Sequence, residues 1–252
     1  MSRIDNFNVG SSPEPFIANM AQRYSEQNGI HVPAHQKYGN FGNVSITRPA
    51  TEAIGHAYDA LPDFDNKAVP AYRAMAEETK RQYDFVTKPR SRGGMGIDIE
   101  VTHEDPYGQG PKGVHGIVNE IRDDIQNHNK IKVFSTASTG GHPVFSNDEN
   151  DMFRGVHDVF GHLGSGRGID AHGEEAAFQK HSAMFSPLAR QAMATETRGQ
   201  NAALHLHGEF QDQKVGLLPA HMQSAQFSRF GGLEAIRSAT VNARAKNIAQ
   251  GL

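Results

Sequence analysis

The sequence predicts a mainly α-helical (α+β) single domain with a small β component and an extended N-terminal arm. Apolar residues recur at helical spacing in several segments after residue 50. Two short segments, IDIEV at 97–101 and IKVFST at 131–136, have strand character, so we expect one or two short β-hairpins. Residues 1–50 are rich in Gly, Pro, Asn and Ser with weak periodicity. We therefore expect the arm at 1–50 and an α-rich domain at 51–252.

Each predicted helix rests on an apolar stripe or on a capping signal. Stripes predict helices at about 51–61, 71–86, 113–128 and 232–249. A further helix should begin near residue 147 and end at Gly161 and the GSGRG sequence, and another should open near Gly173. Ser186-Pro187 is an N-cap followed by a first-turn proline, and it predicts a helix that runs at least to Thr197.

Composition excludes several classes of protein. The chain has 252 residues and no cysteine, so disulfides, thiolate metal sites and cysteine nucleophiles are excluded. A formal charge of −3 without long runs of one sign gives no indication of nucleic-acid binding. The N-terminus lacks a signal-peptide core, and no segment approaches the ~20 apolar residues of a membrane span. We expect a soluble, cytoplasmic protein with no membrane partner.

Histidine is unusually frequent, and two histidines lie close together in the sequence HDVFGH. The chain has 14 histidines, and His157 and His162 are separated by five positions. Histidine is the commonest metal ligand. Residues five apart point about 140° from each other on a regular α-helix. Both rings could reach one ion only near the helix end, or if Gly161 loosens the last turn.

A divalent ion held by two histidines needs a third protein ligand. Glu196 is favoured, because it would sit in mid-helix among small residues, where a buried carboxylate needs a partner or a metal. Glu174 and Glu175 come next; they could instead charge a helix N-terminus, add a second metal position or act as general base. We expect His181 to hydrogen-bond a carboxylate, and Arg198 to orient Glu196 or to bind an anionic substrate.

The motif HDVFGH, followed about 34 residues later by ATETRGQ, resembles the pattern of the pterin-dependent aromatic amino acid hydroxylases. The match covers roughly residues 130–205. The resemblance implies that His157, His162 and Glu196 bind Fe(II), as the facial triad of two histidines and one carboxylate does in non-haem iron enzymes. Asp158 stands where that family has Glu, and no pterin-stacking aromatic is identified, so the resemblance implies the metal rather than the pterin.

A second resemblance covers most of residues 50–220. The segments NDMFRGVHDVFGH, GEEAAFQKHSAMFSPLARQAMATETRGQN and DQKVGLLP are similar to a family found in bacteriophages and in large polyvalent proteins of mobile elements. This resemblance implies a phage source, and hence the host cytoplasm or a virion as the location.

Three functions remain open from the sequence. The leading hypothesis is a non-haem iron(II) oxygenase or hydroxylase-like enzyme with an unknown substrate. The same ligands could hold zinc in a hydrolase, and dependence on oxygen and a reductant would separate these two. The protein could also be a non-enzymatic virion or interaction protein that docks or self-associates through its N-terminal arm.

Overall fold

The computed structural model describes residues 15–32, 41–107 and 113–228, and helices dominate this part of the chain. The predicted mainly α-helical class is confirmed. The α-helices are α1 (Pro15–Gln27), α2 (Arg48–Asp59), α3 (Val69–Thr87), α4 (Gly113–His128), α5 (Asn147–His157), α6 (Ala171–Ser182), α7 (Pro187–Ala194) and α8 (Gln200–His207). Two π-helical segments continue α5 and α7, at Asp158–Leu163 and Thr195–Gly199. None of the described helices is long and apolar enough to cross a membrane.

The two predicted strands are present, but they pair in parallel. Strand β1 (Asp98–Thr102) pairs with β2 (Lys130–Phe134), with Asp98 opposite Lys130. The predicted hairpins are therefore wrong. Helix α4 lies between the strands in the chain, and a connection of this length is long enough for the second strand to run in the same direction as the first.

The predicted N-terminal arm contains a packed helix. Helix α1 buries Ile17 and Tyr24 in the same apolar cluster as strand β1 and the first π segment. The Tyr24 ring lies edge-on to Phe85, with 5.4 Å between ring centroids. The extended-arm prediction is thus corrected for residues 15–27. Residues 1–14 and 33–40, and the helix predicted at 232–249, lie outside the described residues.

The core consists of adjoining apolar clusters that hold the functional helices. One cluster joins α1, β1, β2, α4 and the first π segment, and another joins α3, α5, α6 and α7. Helices α2 and α8 pack in a third cluster. Tyr72 on α3 is fully buried and donates its hydroxyl to the backbone carbonyls of Lys214 and Gly216, which fixes the chain beyond α8 against α3.

Candidate metal centre

Helix α5 does not end at Gly161 but continues as a π segment. A capping box of Ser146 and Glu149 begins the helix. The π segment covers Asp158–Leu163, and the chain leaves the helix at Gly166, where φ is +69°. A π turn closes with i→i+5 hydrogen bonds, so residues five apart come to lie on one side. The rings of His157 and His162 accordingly lie with centroids 5.2 Å apart and planes at 80°.

Gly161 gives the His157 ring the room it occupies. A Cβ at position 161 would lie 3.0 Å from Cε1 and 3.1 Å from Nδ1 of His157, and 3.2 Å from Cβ of Ala177. These distances are shorter than ordinary van der Waals contact. Glycine is therefore required for the close approach of the His157 ring to the helix backbone.

A hydrogen-bonded relay fixes the tautomer of His157. His181 Nε2 lies 2.7 Å from Gln82 Oε1, which can only accept, so this nitrogen of His181 carries the proton. His181 Nδ1 is then the acceptor for the proton of His157 Nδ1, at 3.1 Å. The lone pair of His157 is left on Nε2, which is buried and has no hydrogen-bond partner. His181 thus pairs with a histidine and an amide, not with a carboxylate as the sequence analysis expected.

His162 is oriented in the same way by the backbone. Its Nδ1 lies 3.1 Å from the carbonyl oxygen of Arg167, so Nδ1–H donates and the lone pair is on Nε2. His162 Nε2 lies 3.7 Å from Oε1 of Glu174. Metal-ligating histidines almost always hold their second ring nitrogen in a hydrogen bond of this kind.

The third member of the group is Glu174, in the first turn of α6. Asp170 caps this helix by accepting hydrogen bonds from the backbone N–H groups of His172 and Gly173. Ligand atoms of His157, His162 and Glu174 all lie within 4.8 Å of one another, so the three side chains could hold a metal ion.

Burial sets the charges of this group. Desolvation lowers the pKa of His157 well below its usual value and lowers that of His181 to about 3, so both rings are neutral. Desolvation also raises the pKa of Glu174, against the opposing influence of His162 and a hydrogen bond from Asn201. Burial raises the pKa of Asp158 to about 6. Neutral imidazoles are the form in which histidine binds metal.

Glu196, which the sequence analysis favoured as the third ligand, lies in the second π segment and is not in this group. Its Oε2 accepts a hydrogen bond from Gln200 Nε2 at 2.7 Å. Its Oε1 lies 3.4 Å from His142 Nε2, in an orientation that makes no hydrogen bond. The structure therefore brings Glu174, and not Glu196, to ligand distance from the two histidines.

Glu175 and Arg198 form a buried ion pair. Arg198 donates from Nε and Nη2 to the two carboxylate oxygens of Glu175, and it lies 4.2 Å over the Phe178 ring. Its Nη1 donates to the backbone carbonyls of Met222 and Ser224. The carboxylate of Glu175 and the guanidinium of Arg198 are therefore already paired with each other. Contrary to expectation, Glu175 is not free to act as a base, and Arg198 does not orient Glu196.

The candidate metal group lines a large cleft. The cleft has a volume of about 1310 Å³, above the usual size of a small-molecule site. Its wall includes residues of both π segments, and Phe210, which is 75% exposed, lies at its edge. Sequence reasoning missed Gln82 and did not assign a role to His142, because no local motif links these residues to the histidine pair.

No family model matches the chain, and comparisons with curated proteins and with solved structures also give no match.

Proposed function

We propose that this protein is a metal-dependent enzyme in which His157, His162 and Glu174 hold one divalent ion, with Fe(II) as the first choice. The proposal is carried by one observation: three ligand atoms converge within 4.8 Å, and two of them belong to histidines. Two histidines and one carboxylate leave coordination positions open for dioxygen and substrate.

The residues around the group fit a metal. The Gln82–His181 relay and the Arg167 carbonyl each hold Nδ1–H of one histidine, which leaves both Nε2 lone pairs for an ion. Nε2 of His157 is buried without a partner, and an orphaned acceptor of this kind costs free energy unless something binds it. A divalent cation supplies that partner.

The proposed reaction is hydroxylation of an organic substrate by dioxygen. It consumes two electrons from an added reductant and two protons, and it yields the alcohol and water. Bound Fe(II) would supply the activation of dioxygen. The chain itself would bind the substrate in the cleft and keep both histidines in the ligating tautomer. A phage origin and the host location stay predictions.

The first test is the metal content of anaerobically purified protein, measured by mass spectrometry. We expect one iron per chain in the wild type and in Glu196→Gln, and loss of that iron in His157→Ala and in Glu174→Gln. Oxygen uptake with a reductant should then depend on the same two residues. Glu174→Gln is the sharpest variant, because it removes a charged ligand while it keeps the size of the side chain.

Other outcomes would redirect or end the proposal. Zinc in place of iron, lost in the same variants, would favour a hydrolase, because zinc would supply Lewis acidity with the same ligands. Iron retained by Glu174→Gln but lost by Glu196→Gln would assign the third ligand to Glu196. Folded wild-type protein that takes up no metal after reconstitution would refute both enzymes and leave the interaction protein.

A further inference from the structure

Glu196 is a buried carboxylate without a cationic partner. Its side chain is 3% exposed, and its polar neighbours are all neutral: the amide of Gln200, the imidazole of His142 and the hydroxyl of Tyr72, which donates to backbone carbonyls. Among the described residues, no Lys or Arg forms an ion pair with it. A buried carboxylate without a counter-charge is costly, so a cation that enters the cleft would be stabilised there.

His142 does not supply that counter-charge. Its Nδ1 accepts hydrogen bonds from the backbone N–H groups of Val144 and Phe145, at 3.1 Å and 3.0 Å. With Nδ1 occupied as an acceptor, the ring is neutral and carries its proton on Nε2. That Nε2–H is fully buried, lies beside Glu196 Oε1 and makes no hydrogen bond. A donor and an acceptor, both without hydrogen-bond partners, thus lie side by side in two residues that line the cleft.

The cleft as a whole carries more negative than positive side chains. The described residues that line it include the five carboxylates of Asp105, Asp158, Glu174, Glu196 and Asp212, against the two cations of Lys132 and Arg154. Lys132 is paired with Asp124, and Arg154 donates to the Phe134 carbonyl. The excess of carboxylates over cations favours ligands of positive charge in this cleft.

The side of the cleft next to Glu196 is aromatic. The rings of His142 and Phe145 both line the cleft there, and they stack with 4.3 Å between centroids. Aromatic faces attract cations and also accept apolar groups. This wall therefore suits an organic ammonium better than a bare metal ion.

We propose that Glu196 and His142 form a binding site for an organic ammonium group of the substrate, beside the metal group. The ammonium would donate to Glu196 Oε1, and an oxygen or nitrogen of the same ligand would accept from His142 Nε2–H. The substrate class is then a primary or secondary amine with an apolar or aromatic body. The inference rests on the proposed function only in that it treats this cation as the substrate.

The test compares benzylammonium with benzyl alcohol, a neutral compound of nearly the same shape. Dissociation constants are measured by NMR titration of the full chain, with and without metal. We expect the wild type to bind benzylammonium at least about tenfold more tightly. Glu196→Gln should lose most of this preference and keep its metal, whereas Glu196→Asp should keep part of the preference.

Asp212→Asn is the matched control, because it removes an equal charge from the same cleft. It should leave most of the preference intact. If Glu196→Gln and Asp212→Asn lost the preference for the ammonium equally, the preference would come from the overall charge of the cleft, and a specific site at Glu196 would be refuted. A wild type without preference for the ammonium overturns the proposal by itself, as does loss of metal from Glu196→Gln. Preference for the ammonium in a wild type that holds no metal would refute the metal centre and support the ammonium site.

Discussion

The substitution Gly161→Ala tests whether the π segment is built to seat the His157 ring. The added methyl group would lie 3.0 Å from Cε1 and 3.1 Å from Nδ1 of His157, so the ring must move by a few tenths of an ångström. The methyl group itself cannot shift toward α6 to relieve this contact, because it already lies 3.2 Å from Cβ of Ala177. Metal–ligand distances tolerate only about 0.2 Å, so this displacement is large enough to matter.

Two effects on stability oppose each other in this variant. Alanine in place of glycine in a helix stabilises by about 1 kcal/mol. Overpacking against the ring and Ala177 costs roughly 1–3 kcal/mol. The free energy of unfolding of the metal-free protein should therefore fall by no more than about 2 kcal/mol. Metal affinity should fall by about 10–100-fold, because the displaced ring also loses its hydrogen bond to His181.

The assay is a chelator competition titration, run beside urea denaturation of the metal-free protein. Gly164→Ala is the control, because Gly164 also lies in helical conformation. Its added Cβ would make only ordinary contacts of 3.4–3.7 Å, with Lys180 side-chain atoms and the Val159 carbonyl oxygen. Gly164→Ala should keep its metal affinity and gain slightly in stability. Wild-type metal affinity in Gly161→Ala would refute the argument that glycine positions the ring.

Three further predictions follow from buried polar groups. Gln82→Leu removes the acceptor of His181 Nε2–H, so the tautomers of His181 and His157 can both switch. Calorimetry should then record metal binding that is about 10–100-fold weaker. Gln82→Glu keeps an acceptor and should retain the wild-type metal affinity. Glu175→Ala leaves Arg198 buried without its partner and should lower the free energy of unfolding in urea by about 3–5 kcal/mol, without metal loss per folded chain. Burial lowers the pKa of Lys180 from 10.5 to about 8, so the folded state disfavours the charged form of this side chain. Below pH 8, Lys180→Met should raise the free energy of unfolding by up to about 3 kcal/mol. This gain should vanish as the pH rises toward 10.5. A stability difference independent of pH would contradict the last prediction.

The sequence was sufficient for the elements whose signals are local. The apolar stripe at 113–128 predicted α4 with the bounds that the structure has, and the Ser186-Pro187 pair marked the start of α7. Strand positions were also predicted to within two residues. Strand direction was not, because pairing depends on how the crossover helix α4 packs, which no local pattern records. Helix α1 was missed because the composition of residues 1–50 as a whole obscured its short apolar stripe.

The candidate site was predictable in part for the same reason. His157 and His162 were identified by their spacing. Residues five apart point about 140° from each other on a regular α-helix. The π segment at Asp158–Leu163 brings the two rings to one side instead. The third member depended on tertiary distance. Glu174 and Glu196 are both carboxylates within helical segments, and only packing decides which of them approaches the histidines. The relay through Gln82 lies outside sequence reasoning altogether, since 99 positions separate Gln82 from His181.

The two π segments explain why both carboxylates can serve one cleft. A π turn is wider than an α turn, is rare in proteins and is found frequently at functional sites. The first segment turns His162 to the side of His157, which an uninterrupted α-helix would prevent. The second lies at Thr195–Gly199, where Glu196 and Thr197 both line the cleft. If Glu174 completes the metal group, Glu196 stays available to a ligand, so the metal content of Glu196→Gln separates a metal-binding role for this carboxylate from a substrate-binding one.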